Sequence, residues 1–168
     1  MAILGFEADD RGMANRDGPG PTLDALSKSI IEALQQDGRR SYASIGECVG
    51  LSEAAVRQRV QKLLEAGVMQ IVAVTDPMQV GFNRQAMVGI RVVGDPATVA
   101  AEIETLPEVI YVVVTAGSFD LLVEIVCEDD EHLLEVVSGK IRACAGVTST
   151  ETFLYLKLQR QRYDWGTR

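Results

Sequence analysis

Residues 41–67 read SYASIGECVGLSEAAVRQRVQKLLEAG, and their periodicity decides how the N-terminal part of the chain folds. Ser41 can cap a short helix whose apolar residues Ile45 and Val49 stand four apart, and Gly50 ends it. Ser52 can cap the next helix, which places Val56, Val60, Leu63 and Leu64 on one face before Gly67 stops it. Upstream, Thr22 is a plausible N-cap, and Leu23, Leu26, Ile30 and Leu34 recur at helical spacing as far as Asp37-Gly38. Three helices therefore fit within about fifty residues, the last two joined only by Gly50-Leu51-Ser52, which is the spacing of a helix-turn-helix.

A helix from Glu53 to Ala66 would be about 21 Å long at about 1.5 Å per residue, long enough to lie in a major groove. Its inward set leaves Glu53, Ala54, Arg57, Gln58, Gln61 and Lys62 facing out. Arg and Gln suit bidentate contacts with guanine and adenine edges, and Ala54 suits a thymine methyl group. Arg59 and Lys62 are expected at phosphates, together with Arg39 and Arg40 just before the helix N-terminus at Ser41. The backbone N–H groups at Ser41 and Ser52 are further phosphate-docking candidates. A plain solvated amphipathic helix has the same periodicity, so spacing alone leaves both readings open.

The formal net charge of -8 argues against a nucleic-acid partner until it is divided along the chain. Residues 1–21 carry -2, residues 22–67 carry 0 and residues 68–168 carry -6. Acidity is thus concentrated away from the helical segment, which leaves room for a local basic face.

After Gly67 the pattern changes. Val68 to Thr75 is rich in β-branched residues and reads as a strand ended by Asp76-Pro77. Further apolar runs follow at Ala86 to Val93, Val109 to Thr115, Leu121 to Cys127 and Thr148 to Leu158. One helix, entered at Asp95-Pro96, carries Val99, Ile103 and Leu106 on one face. Another, opened by Asp129-Asp130, carries Leu133, Val137 and Ile141. The order strand, helix, strand, strand, helix, strand is the ferredoxin-like βαββαβ arrangement. The expected class is α+β, with a flexible tail at 1–21, a DNA-binding domain at 22–75, a linker at 76–84 and a second domain at 85–168. The run Val109 to Val114 is apolar on both faces and falls at a sheet edge in this fold, so a second copy of the chain is expected to cover it.

Other chemistry finds little support. Cys48, Cys127 and Cys144 are widely spaced and His132 is the sole histidine, so neither a disulfide framework nor a zinc site can be drawn. The cysteines are expected to be buried fillers. Glu128-Asp129-Asp130-Glu131 lacks the alternating ligands and glycine of a calcium loop and reads as a solvated helix start. No nucleophile stands in a recognisable arrangement with a base, so catalysis, a cofactor and a metal are not expected. No apolar stretch reaches the length of a membrane span, and Met1 to Phe6 is followed by acidic residues, unlike a signal peptide. A cytoplasmic protein is expected.

Taken together, Leu23-Asp24, Ile30 to Leu34, Asp37-Gly38-Arg39, Gly50-Leu51-Ser52, Val56, Arg59-Val60, Leu63, Gly67-Val68, Asp76-Pro77, Val80-Gly81 and Gly117-Ser118-Phe119-Asp120 resemble the Lrp/AsnC family of regulators. The resemblance covers about Thr22 to Leu158. It departs at Ile45-Gly46, where Leu-Ala is usual, at Leu64, where Glu is common, and in a longer N-terminal tail. It implies a winged helix-turn-helix joined to a ferredoxin-like effector domain, and a transcription regulator that dimerises and associates further into octamers. It also implies that Gly117, Ser118 and Asp120 bind an amino acid, Asp120 meeting its ammonium group and the backbone near Gly117 and Ser118 its carboxylate, while Thr150 and Thr152 line the same site. From the residues alone, Gly117 to Asp120 is an ordinary hairpin turn in which Gly supplies backbone freedom. An amino-acid-sensing module that governs an enzyme without binding DNA, and a weakly specific architectural DNA-binding protein, are the alternatives.

Overall fold

The computed structural model describes residues 22–168. The expectation of a flexible tail over 1–21 lies outside the described residues. The chain divides into two compact units, one running to Ala73 and taking in Gln161–Arg168, the other spanning Val74–Arg160.

The first unit holds three helices, α1 (Ala25–Gln36), α2 (Tyr42–Val49) and α3 (Glu53–Glu65). Each begins at a side-chain cap. Asp24 accepts from the backbone N–H of Ser27 at 2.7 Å, Ser41 from Ser44 at 3.2 Å and Ser52 from Ala55 at 3.3 Å. Asp24, not Thr22, therefore starts α1, because its carboxylate reaches that orphan N–H while Thr22 stands outside the helix. Ile30, Leu34, Ile45, Val56 and Val60 close the core between the helices.

The tight α2–α3 connection rests on two glycines. Gly50 takes φ 71°, a left-handed conformation that ends α2. Gly46 lies so close beneath the turn that a Cβ there would stand 2.4 Å from the Leu51 carbonyl oxygen. Of the two departures from the family pattern there, the glycine at 46 is thus a packing requirement of this turn.

Residues 68–75, expected as a strand, form none. β-Branched residues favour a pleated surface only where a neighbouring strand pairs with them, and here Ile71, Val72 and Val74 are exposed. A three-residue 3-10 turn, Pro77–Gln79, capped by Asp76, follows.

The second unit is a four-stranded antiparallel sheet of β1 (Arg84–Val92), β2 (Val109–Val114), β3 (Leu121–Cys127) and β4 (Val147–Leu154), ordered β2-β3-β1-β4. Helix α4 (Pro96–Ile103) joins β1 to β2. Between β3 and β4 lie α5 (Asp130–Leu134), a π-helical stretch (Glu135–Lys140) and a 3-10 turn (Ile141–Ala143). Ala86, Val88, Ile90, Val123 and Ile125 point from the sheet into a core shared with Val99, Ile103, Val136 and Ile141. The wider π turn shifts the inward register, so Val136 is fully buried where regular four-residue spacing pointed to Val137.

At the start of β2, Glu108 is buried between Lys140 (2.7 Å) and His132 (3.1 Å). Burial pushes its pKa up, but the hydrogen bonds from Lys140 and His132 outweigh that and hold the carboxyl below its usual range. Cys127 and Cys144 are buried as expected, and burial raises the Cys127 thiol to about 11. Cys48 is exposed, because it falls on the outer side of α2 with Arg40 against its sulfur at 3.0 Å.

Candidate nucleic-acid interface and effector turn

Helix α3 presents two unlike faces. Val56, Val60 and Leu63 are buried, whereas Glu53, Ala54, Arg57, Gln58, Gln61 and Lys62 are exposed. The outward set derived from periodicity is therefore the set the fold exposes. Arg57 is held in place twice, by Glu53 at 2.6 Å along the helix and by the Tyr42 ring, over which its guanidinium sits 5.3 Å from the centroid. Gln61 donates to Glu65 at 2.9 Å. A shallow cavity of about 490 Å³ lies along α3 between Leu23, Leu51, Ala55 and Leu63, with Arg59 and Lys62 also lining it.

The other expected DNA residues divide. Arg39 is exposed beside the turn, where its backbone N–H caps on Asp37 at 2.9 Å. Ser41 and Ser52 are exposed at the two helix starts, each spending its hydroxyl on its own cap. Arg40 is half-buried and turned along α2 toward Ser44 and Cys48. Arg59, expected at a phosphate, is half-buried and engaged inside the unit, reaching Asp24 at 2.7 Å and Ser27 at 3.1 Å. One heptad position separates it from the outward stripe, so it faces the start of α1 rather than solvent.

In the second unit the β2–β3 connection spans residues 115–120. It is closed by the Thr115 N–H donating to the Asp120 carbonyl at 2.9 Å and by the Thr115 hydroxyl donating to the Phe119 carbonyl at 2.6 Å. Gly117 does not take a left-handed φ, and a Cβ there would meet nothing within 4 Å. The expected need for glycine freedom at this position is therefore not what shapes the turn. Asp120 is half-buried and ties the turn to β1: its N–H donates to the Ile90 carbonyl at 2.9 Å and its Oδ2 accepts from the Val92 N–H at 2.8 Å.

Sequence reasoning missed Arg91, Phe153 and Gly89, which gather around Phe119 at this turn. The Arg91 guanidinium donates to the Ser118 carbonyl at 2.8 Å and lies 5.0 Å from the centre of the Phe119 ring. Phe119 in turn meets Phe153 edge-on, with ring centres 6.1 Å apart. Gly89 makes room for this, since a Cβ there would come within 2.7 Å of the Phe119 ring. A lone glycine inside a strand pattern is the signal that could have found such a close approach.

Thr150 and Thr152 pair with Ile90 and Val88 across β4, on the sheet face that carries the core. Phe119 covers Gly89 on the opposite face. Asp120 adjoins Ile90 and Val92 from the β3 side and Thr150 adjoins Ile90 from the β4 side, so β1 stands between them. A single chain does not bring the turn and the two threonines together.

Comparison with known proteins bears on both units. An AsnC-type helix-turn-helix domain matches residues 23–64, and an Lrp/AsnC ligand binding domain matches residues 85–163. The HTH-type transcriptional regulator FL11 of Pyrococcus furiosus is 33% identical over 141 residues, covering 83% of this chain and 93% of that protein. Among solved structures, E. coli AsnC superposes with a TM-score of 0.74 at 28% identity, covering 84% of this chain and 97% of the other. The transcriptional regulator NMB0573 of Neisseria meningitidis, solved as its L-Met complex, gives a TM-score of 0.74 at 25% identity over 85% of this chain and 96% of the other.

Proposed function

This chain belongs to the Lrp/AsnC family of transcriptional regulators, and on that footing we propose that it reads double-stranded DNA with the exposed face of α3 and alters that binding when an amino acid occupies the turn at Gly117 to Asp120. The observation that carries the DNA reading is the composition of that face. Arg57, Gln58, Gln61 and Lys62 stand outward together on a helix whose start is fixed by Ser52 and by the turn from α2. Arg57 and Gln58 are assigned to base edges, Lys62, Arg39 and Arg40 to phosphates, Ala54 to a thymine methyl group, and Ser41 and Ser52 to the placement of backbone donors. Arg59 is assigned to holding α1 against α3. The role requires binding alone and assigns no chemical step to the chain.

For the effector, the L-Met complex of the Neisseria relative supports an amino acid as the class of ligand. Asp120 spends Oδ2 on Val92, which leaves Oδ1 to meet an ammonium group, while Arg91 and the backbone near Gly117 and Ser118 offer donors to a carboxylate. Because β1 separates the turn from Thr150 and Thr152, the site is completed between copies of the chain. The exposed apolar edge at Ile110, Tyr111 and Val114 of β2 supports a homodimer, with dimers assembling to an octamer. Among the described residues no helix is long and apolar enough to cross a membrane; it is the DNA-binding role that assigns the chain to the cytoplasm.

A gel-shift titration with the DNA upstream of the chain's own gene, run at two salt concentrations, tests the reading. A complex that weakens steeply with salt is expected, and no complex even at low salt overturns it. Sedimentation at micromolar concentration should give a dimer or larger; monomer alone removes the proposed oligomer.

A further inference from the structure

The chain leaves the sheet-bearing unit at Arg160, and its last eight residues are grouped with the helical unit instead. The expected second domain, drawn to residue 168, is therefore shorter. The anchor points are specific. The Gly166 N–H donates to the Gln35 side-chain oxygen at 3.0 Å, the Thr167 N–H donates to Glu32 Oε1 at 3.2 Å, and the Thr167 hydroxyl donates to the same oxygen at 2.5 Å. Glu32 and Gln35 stand near one another on α1, and a carboxylate receiving two donors makes stronger bonds than neutral partners would.

The peptide is also shaped for this contact. Gly166 takes φ 76°, which other residues rarely adopt, and so turns the chain where its N–H and that of Thr167 meet α1. Just before it, Arg162 and Asp164 form a two-pronged pair, with Nε to Oδ1 at 2.7 Å and a terminal nitrogen to Oδ2 at 2.6 Å. The anchors Gly166 and Thr167 lie beyond residue 163, where the match to the ligand binding domain ends.

We propose that Gln161–Arg168 is a clamp on α1 that gives each DNA-reading unit a second, hydrogen-bonded tether, and that this clamp determines how strictly the protein discriminates between spacings of DNA half-sites. The proposal rests on the DNA-binding reading above. A unit joined at one point explores a wide range of orientations, and fixing a second connection removes most of them. Two units that read one DNA must present their α3 helices in phase with the double helix, and a shift of half a turn, about 5 base pairs, places the second site on the far side. A clamped pair pays heavily for that shift, whereas a loosened pair adapts.

Trp165, the sole tryptophan of the chain, lies inside the clamp and is 70% exposed, so release of the peptide reads as a difference between parent and variants. Time-resolved fluorescence anisotropy of the full-length protein should show only the small nanosecond component of ring motion. The Glu32→Ala, Gln35→Ala double variant should enlarge it severalfold, and so should Thr167→Val, which leaves α1 untouched. A nanosecond component as large in the parent as in both variants overturns the clamp. For its role, affinities are measured for the upstream DNA and for the same DNA with 5 base pairs inserted at the centre of the footprint. The parent should lose about tenfold or more on insertion and the clamp variants less than about threefold. Equal losses in parent and variants overturn the spacing role even where anisotropy shows a released peptide. Failure of every protein to bind either DNA overturns the DNA-binding reading, while the anisotropy result still decides the clamp.

Discussion

Arg59 on α3 reaches back across the helical unit to Asp24, the residue that caps α1, with 2.7 Å between its terminal nitrogen and Oδ2. The Ser27 backbone N–H, the Ser27 hydroxyl and Arg59 together hold the Asp24 carboxyl down at about 2. A carboxyl more acidic in the folded than in the unfolded chain stabilises the fold above its unfolded value, near 3.8, and this contribution is lost as pH falls toward 2. Amide hydrogen exchange in α1 should therefore accelerate in the parent as pH is lowered through this range, relative to Asp24→Asn, which keeps a cap but carries no charge. A parent-to-variant difference that stays constant from neutral pH to pH 2, after correction for intrinsic exchange, would show that the charge contributes nothing.

The same pair assigns Arg59 a place in the fold. Arg59→Ala should lower the urea midpoint of the helical unit while leaving the salt slope of DNA binding unchanged. A slope reduced by about 1 would mean that Arg59 lets go of Asp24 to meet a phosphate in the complex.

Arg57 and Arg39 should fail in different ways. Arg57 is braced by Glu53 and Tyr42 at the outward centre of α3, so Arg57→Ala should relax preference for the best sequence by about 1–3 kcal/mol relative to scrambled DNA. Arg39 stands exposed outside the helix, so Arg39→Ala should weaken all DNA alike and reduce the salt slope by about 1. The reverse pattern in competition binding would exchange their roles.

Gly46 tests the turn itself. A side chain there would drive Cβ to 2.4 Å from a backbone oxygen, and backbone cannot swing aside as a side-chain tip can. Gly46→Val should cost about 1–3 kcal/mol of the helical unit's stability, read from its urea transition, and should weaken DNA binding in proportion. An unaltered transition would mean that α2 and the turn separate at little cost.

How much of this was legible in sequence follows from how local each signal is. Ser41, Gly50, Ser52 and Gly67 fix helix ends through their own backbone and side-chain chemistry, and the apolar runs at 86–93 and 121–127 mark strands of the covered sheet. The helix ends and the edge position of β2, which followed from the order of elements, were legible in the residues; the pairing of β1 between β3 and β4 comes from the structure. The stretch at 68–75 misled because strand propensity says nothing about whether a partner stands beside it. Arg59 misled because one helical step decides between solvent and the start of α1, and the Asp24 that claims it lies 35 residues away. Likewise the Glu108–Lys140 pair and the Glu32 anchor of the C-terminal peptide join residues 32 and 135 apart, which no periodicity could connect.

Asp120 carries two duties, and two substitutions separate them. Its Oδ2 accepts the Val92 N–H and holds the β2–β3 turn to β1; its charge is what an ammonium group would recognise. Asp120→Asn retains an oxygen acceptor for Val92 and removes the charge, so the stability of the sheet-bearing unit should change little while amino-acid binding falls by tenfold or more, a loss of about 1.4 kcal/mol or greater. Asp120→Ala removes both and should cost a further ~1–2 kcal/mol of stability by stranding a half-buried backbone donor. Calorimetry of the parent and both variants against a panel of amino acids that includes L-Met reads the first effect, and urea denaturation reads the second. If Asp120→Asn binds an amino acid as tightly as the parent does, the carboxylate serves the turn alone and the ammonium partner lies elsewhere in the unit.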